Sequence, residues 1–147
     1  MRRLSDAESL RVVSDAMKPK PRIVVTAAVV RRAGAFLVTR RQAGVHLEGY
    51  WEFPGGKCDP GESLAECLNR EMLEELDTSV RAGREILATE HDYAERTVEL
   101  HFIECELLRE PRPLLGQEMR WVSRQELRSL RFPPADDELI ELLKVQP

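Results

Sequence analysis

The chain has no apolar run near the ~18 residues a bilayer-crossing helix needs, and no membrane association is expected. Its first residues carry no apolar centre of the kind a signal peptide has. Cysteine is scarce. Cys58, Cys67 and Cys105 are odd in number and lack Cys-x-x-Cys spacing, so they are expected as free thiols in a reducing compartment, the cytoplasm. His46, His91 and His101 are scattered and match no zinc spacing. No Gly-x-Gly-x-x-Gly or P-loop pattern occurs, which disfavours a Rossmann unit and kinase-like phosphate binding. Ser63 has no local His partner, which argues against a serine nucleophile. Basic residues are not in excess: the net charge is −4, and a general nucleic-acid backbone binder would be basic. No stable nucleic-acid binding is expected. An anionic ligand would have to be met by local cations or a metal ion. Repeats and low-complexity segments are also missing.

What is present fits one domain in 147 residues. Residues 1–21 differ from the rest. Leu4, Leu10, Val13 and Met17 could form a short amphipathic helix, ended by Lys18-Pro19-Lys20-Pro21. This extension would pack on the domain, stay mobile or make a dimer contact, and monomer and homodimer both remain open. The domain proper is expected over 22–147. Ile23–Val30 is a continuous apolar, β-branched run, which predicts a buried strand. Ala35–Thr39 predicts a second, joined to it through a turn at 31–34. Trp51-Glu52-Phe53 predicts a short strand. Val80–His91 alternates weakly and only part of it reads as strand. Thr97–Leu108 and Met119–Val122 predict two more. Ser123 with Glu126 matches a capping box for a late helix, Phe132-Pro133-Pro134-Ala135 reads as rigid loop, and Asp136 as the N-cap of a last helix to Lys144. Strands, one central helix, more strands and two late helices make an α/β chain with mixed strand pairing, not a doubly wound array.

The densest chemistry lies between Gly55 and Leu76. Gly55, Gly56 and Pro60 make a loop. Ser63 with Glu66 opens a helix, and Leu64, Leu68, Met72 and Leu76 recur every fourth residue as a core-facing stripe. Beside that stripe Glu71, Glu74 and Glu75 share an arc of roughly 100°. Their mutual repulsion is offset nearby only by Arg70 and Lys57. Taken alone, this is either a solvated acidic face or a site for a hard divalent cation, which binds oxygen ligands.

Loop and helix together decide between these. Gly56, Glu62, Arg70, Glu71, the apolar Met72, then Glu74 and Glu75 resemble the box of the Nudix hydrolase family. The wider pattern is similar to its MutT-like branch: Val38-Thr39-Arg40-Arg41, Trp51 to Lys57, and Phe132 to Ala135. Asp77 departs from the pattern, where the family usually has a helix-ending Gly. Asp tolerates the left-handed conformation better than most residues, so the departure touches the cap and not the chemistry. The resemblance implies an α/β/α sandwich around a mixed sheet. It implies a nucleoside triphosphate pyrophosphohydrolase, releasing nucleoside monophosphate and pyrophosphate, that sanitises guanine (normal or oxidised) or cytosine nucleotides. Alternatives are a nucleotide sugar, dinucleoside polyphosphate or capped RNA as substrate, or a non-catalytic nucleotide-binding domain. The implied cofactor is Mg²⁺, with Mn²⁺ as substitute. The implied ligands are Glu71, Glu74, Glu75, the carbonyl of Gly56 and, from the loop before the last strand, Glu118. Glu71 and Glu74 would act in catalysis with Arg70, which would position a carboxylate, and Glu62 would support the loop. Arg41, Phe53 and Lys57 would meet the substrate, and Asp136 would read its base.

Overall fold

The computed structural model describes residues 20–145; the segment expected to be helical between Leu4 and Met17 lies outside them. Strands β1 (Arg22–Arg32) and β2 (Ala35–Arg40) form the expected hairpin. Its two-residue turn, Ala33-Gly34, has both φ angles positive (52° and 79°), which matches the twist of the flanking strands. Strands β3 (Trp51–Glu52) and β4 (Gly55–Lys57) follow, then helix α1 (Leu64–Leu76), the long hairpin β5 (Val80–Asp92) and β6 (Thr97–Leu107), and β7 (Met119–Ser123). Helix α2 (Arg124–Leu127) is a single turn. A 3₁₀ turn, Pro134–Asp136, leads into α3 (Asp137–Val145).

The strands form one seven-stranded sheet with the order β3-β2-β1-β6-β5, β4 also pairing with β1 and β7 with β2. β1 and β6 are parallel and the other pairs antiparallel, so the sheet is mixed, as expected. Alternation along β1 feeds two cores. Ala27 and Val29 pack with Phe53, Phe102, Leu139 and Leu143 on the α3 side. Ala28 and Val30 pack with Leu68, Met72, Leu76 and Ile103 on the α1 side. A strand buried on both faces shows no alternation in sequence, hence the continuous apolar run. The chain is an α/β sandwich with helices on both faces of the sheet.

Helix α1 has the predicted bounds and both halves of its capping box: the Glu66 N–H donates to Ser63 Oγ at 3.1 Å, and the Ser63 N–H to Glu66 Oε1 at 2.9 Å. Asp77 takes the left-handed cap (φ 50°, ψ 41°), where Arg112 Nη2 meets its carboxylate at 2.7 Å. Three details depart from the sequence expectations. Gly55–Lys57, expected as loop, pairs with Val25–Ala27 of β1 as a strand. β5 is strand along its whole length; two register shifts against β6 between Ala82 and Leu87 blur its alternation. Asp136, expected as a helix N-cap, is the last residue of the 3₁₀ turn and directly precedes α3.

Candidate active site

Two glycines let β4 lie between β1 and α1. A Cβ at Gly55 would fall on the Thr26 carbonyl of β1, and one at Gly56 would stand 2.5 Å from the Glu71 carboxylate of α1. Only backbone fits between the strand and the helix there. Arg70 then locks the helix to the preceding loop. Its Nε and Nη2 donate to the two Glu62 carboxylate oxygens at 2.7 and 2.9 Å, and Nη1 to Glu71 Oε1 at 2.9 Å. Nη2 also donates to the Lys57 carbonyl at 2.9 Å, and Nη1 reaches Glu74 Oε2 at 3.4 Å. Glu62 in turn accepts from the Asp59 N–H at 2.7 Å. The Arg70 hydrogen bonds, seconded by the Asp59 N–H, hold the Glu62 carboxyl down at about 2.

Glu71 and Glu75 lie one helical turn apart and face the same cavity. Burial raises the Glu71 carboxyl, against the pull of Arg70. Burial pushes Glu75 up to about 8, with Glu71 and Glu52 adding like charge and the Gly55 N–H opposing. Carboxylates this desolvated and this close call for a cation. The donors are oxygen only, set around a glycine backbone that admits no side chain, and this suits a hard divalent ion. Glu74 points outward, 58% exposed. Among the described residues no three His, Cys, Asp or Glu side chains converge on one point; Arg70 Nη1 meets both Glu71 and Glu74.

The cavity measures about 500 Å³. Gly56, Glu71 and Glu75 line it together with Pro133, Ala135 and Asp136. Phe53 also lines it, 4% exposed, stacked on Phe132 at 5.4 Å and edge-on to Phe102 at 6.2 Å. Asp136 is 7% exposed, and its carboxyl is pushed up to about 7, first by burial, then by Glu52 and Asp137.

The other residues expected to form the site are placed unevenly. Lys57 is exposed at the cavity rim. Arg41 lines the cavity, but its Nη1 donates to Glu52 at 2.9 Å and its Nε to the His46 carbonyl at 2.5 Å. Glu118 is not among the cavity-lining residues. It bridges Arg120 at 3.0 Å and Arg40 at 3.5 Å at the entrance to β7. Two charged cavity residues had not been singled out. Glu52 sits between buried Trp51 and Phe53, and that alternation is the signal that sets it apart from the core. Arg96 reaches the cavity from the β5–β6 hairpin, which nothing short of the hairpin's register could reveal.

The expectation of three free thiols is corrected. Cys58, after β4, and Cys67, in α1, form a disulfide with their Cα atoms 5.1 Å apart, a separation suited to a bridge. Only Cys105 is free among the described residues. Residues nine apart in sequence meet across a turn in which the Glu62 N–H donates to the Asp59 carbonyl at 3.1 Å.

A family model for the NUDIX domain matches residues 25–142. The chain is 32% identical over 123 residues to an 8-oxo-dGTP diphosphatase of Haemophilus influenzae, covering 82% of this chain and 90% of that protein. It is 37% identical over 79 residues to a CTP pyrophosphohydrolase of Escherichia coli, covering 54% of this chain and 58% of that relative's length. Among solved structures, the E. coli ORF135 protein superposes with a TM-score of 0.75 at 31% identity, over 83% of this chain and 88% of that one. A MutT structure from Aliivibrio salmonicida and Vibrio cholerae work gives 0.67 at 26% identity, over 86% and 99%.

Proposed function

This chain belongs to the Nudix hydrolase family, in its MutT-like branch, and we propose that it hydrolyses guanine-type (normal or oxidised) and cytosine nucleoside triphosphates to the monophosphate and pyrophosphate with Mg²⁺. One observation carries the reading: a single cavity is lined both by Gly56 and the Glu71 and Glu75 carboxylates and by the buried Asp136 carboxyl. A triphosphate needs the first and a base the second.

Glu71, Glu74, Glu75 and the Gly56 carbonyl are the donors assigned to the ion. When bound, it neutralises charge on the phosphate oxygens and favours attack by water. The chain's own residues do the rest. Arg70, fixed by Glu62 and the Lys57 carbonyl, keeps the Glu71 carboxylate against Gly56. Burial raises the Glu75 carboxyl to about 8, so Glu75 would gain most from a cation beside it, and one carboxylate of this set would orient or deprotonate the attacking water. Lys57 and Arg41 supply positive charge at the rim, and Arg41 must exchange its Glu52 contact for phosphate to do so.

Asp136 reads the base. A carboxyl that titrates near 7 exists in both forms at neutral pH. The protonated form offers a donor beside an acceptor, which matches N3 and N4 of cytosine or O6 and N1–H of guanine. The ionised form offers two acceptors, which match N1–H and N2–H of guanine. The relatives include an 8-oxo-dGTP diphosphatase and a CTP pyrophosphohydrolase, which supports both classes. The test is Mg²⁺-dependent pyrophosphate release over the common triphosphates, 8-oxo-dGTP, nucleotide sugars and dinucleoside polyphosphates. Preference for a nucleotide sugar, or no turnover of any triphosphate, overturns the proposal.

A further inference from the structure

The Cys58–Cys67 bridge ties the segment after β4 to the first turns of α1, beside Gly56. Its two sulfurs differ in access. Cys67 has no exposed surface. Cys58 is half-buried and lines an open groove of about 780 Å³, with Arg22, Lys57, Pro60, Leu64 and His101 around it. This groove and the nucleotide cavity share Lys57 alone among their lining residues, so a reagent at Cys58 meets a different set of side chains. The buried sulfur touches the site itself. Cys67 Sγ is 3.7 Å from the Gly56 carbonyl oxygen and 3.3 Å from Thr26 Oγ1, and that hydroxyl is 3.5 Å from the same carbonyl. A bridged sulfur has no proton and adds no donor to the Gly56 carbonyl, which accepts from the Thr26 hydroxyl at 3.5 Å. A Cys67 thiol has one and can donate it weakly to Gly56.

We propose that Cys58–Cys67 is a reversible modification site for a dithiol reductant, and that its state sets how available the Gly56 carbonyl is to a divalent ion. The reducibility is independent of the function proposed above; the coupling to the ion rests on that reading. The exchange balances as follows. A thiolate of the reductant attacks the Cys58 sulfur through the groove, the Cys58–Cys67 bond breaks, and Cys67 leaves as thiolate and takes a proton. The second thiol of the reductant then attacks its own sulfur in the mixed disulfide. Cys58 is released as a thiol and the reductant is oxidised to a disulfide, two electrons having passed to the protein. Glutathione disulfide reverses the sequence with release of two glutathione thiols. Cys105 takes no part: it lies in the core, and burial, with Glu104 adding to it, pushes its thiol up to about 12.

Thiol counting in denaturant tests the first half, with dithiothreitol as the dithiol. The bridged protein should show one free thiol and the reduced protein three. Native Cys67→Ser protein treated with glutathione disulfide should carry one glutathione, on Cys58, and native Cys58→Ser protein none. Three thiols that glutathione disulfide does not lower, or glutathione found on Cys67, overturns the site. Mn²⁺ binding followed by electron paramagnetic resonance tests the second half. The bridged protein should bind Mn²⁺ more tightly than the reduced one, by roughly threefold or more, as expected when a weak donor no longer competes. The Cys58→Ser/Cys67→Ser double variant should match the reduced protein with or without dithiothreitol. Equal affinities in both redox states, with Glu75→Gln still weakening binding, overturn the coupling and leave the ion site standing. Unchanged binding in Glu75→Gln overturns the ion site and the coupling with it.

Discussion

Replacing Asp136 by Asn isolates the cost of a carboxyl buried in the cavity wall. Asp136 is 7% exposed, and burial, reinforced by Glu52 and Asp137, moves its titration from near 3.8 to about 7. An acid whose folded value is raised binds its proton more tightly folded than unfolded. Between the two values the folded state carries a proton that the unfolded state has lost, so stability falls as pH rises through that window, then levels off above about 7. The full drop corresponds to ~4 kcal/mol at 1.36 kcal/mol per pH unit, and ~2 kcal/mol if relaxation or water entry halves it. Asn keeps the shape and carries no charge. Asp136→Asn is therefore expected to gain ~2–4 kcal/mol over the parent at pH 8, and much less at pH 4.5. Urea unfolding at a series of pH values, read at constant slope, measures this gap. A stability difference that does not change between pH 4.5 and 8 refutes the reasoning. Activity supplies a second readout. A base-reading role requires kcat/KM to reorder between cytosine and guanine triphosphates in Asp136→Asn and Asp136→Ala, by ~1–3 kcal/mol where a buried partner is left unpaired. An equal loss on every substrate would assign Asp136 to structure alone.

Three further outcomes follow from the same geometry. Glu74→Gln and Glu75→Gln should stay folded, since Gln and Glu have nearly equal helix propensity, yet lose most turnover; excess EDTA should abolish activity and Mg²⁺ or Mn²⁺ restore it, with an alkaline optimum, and wild-type rates in either variant would contradict the ion site. Gly56→Ala puts a methyl 2.5 Å from the Glu71 carboxylate, so Mn²⁺ affinity and kcat should fall at least tenfold, ~1.4 kcal/mol, while circular dichroism stays native. Leu68→Ala, at a fully buried position between α1 and the sheet, should cost ~2–5 kcal/mol by urea unfolding without altering substrate preference.

Much of this protein is legible in one dimension because its signals are local. A capping box spans four residues, and its Ser63–Glu66 pair sets the start of α1 to the residue. The i+4 stripe Leu64, Leu68, Met72 and Leu76 sets the face that packs, and the same helical arithmetic puts Glu71 and Glu75 together beside it. The αL cap at Asp77 is local as well, although the arginines that hold its carboxylate come from far along the chain.

By itself, then, the sequence determined the strand and helix order apart from Gly55–Lys57, the burial of β1 and the acidic face of α1, since each follows from periodicity or short-range hydrogen bonding. Tertiary structure decided what depends on contacts between distant segments. It made Gly55–Lys57 a strand, because a ladder needs a partner and Val25–Ala27 supplies it. It bound Arg41 to Glu52 and Glu118 to Arg40 and Arg120, because a charge takes the opposite charge that packing brings nearest. It joined Cys58 to Cys67 and desolvated Asp136, for bridge formation depends on Cα separation and carboxyl titration on burial, and neither quantity is written along a chain.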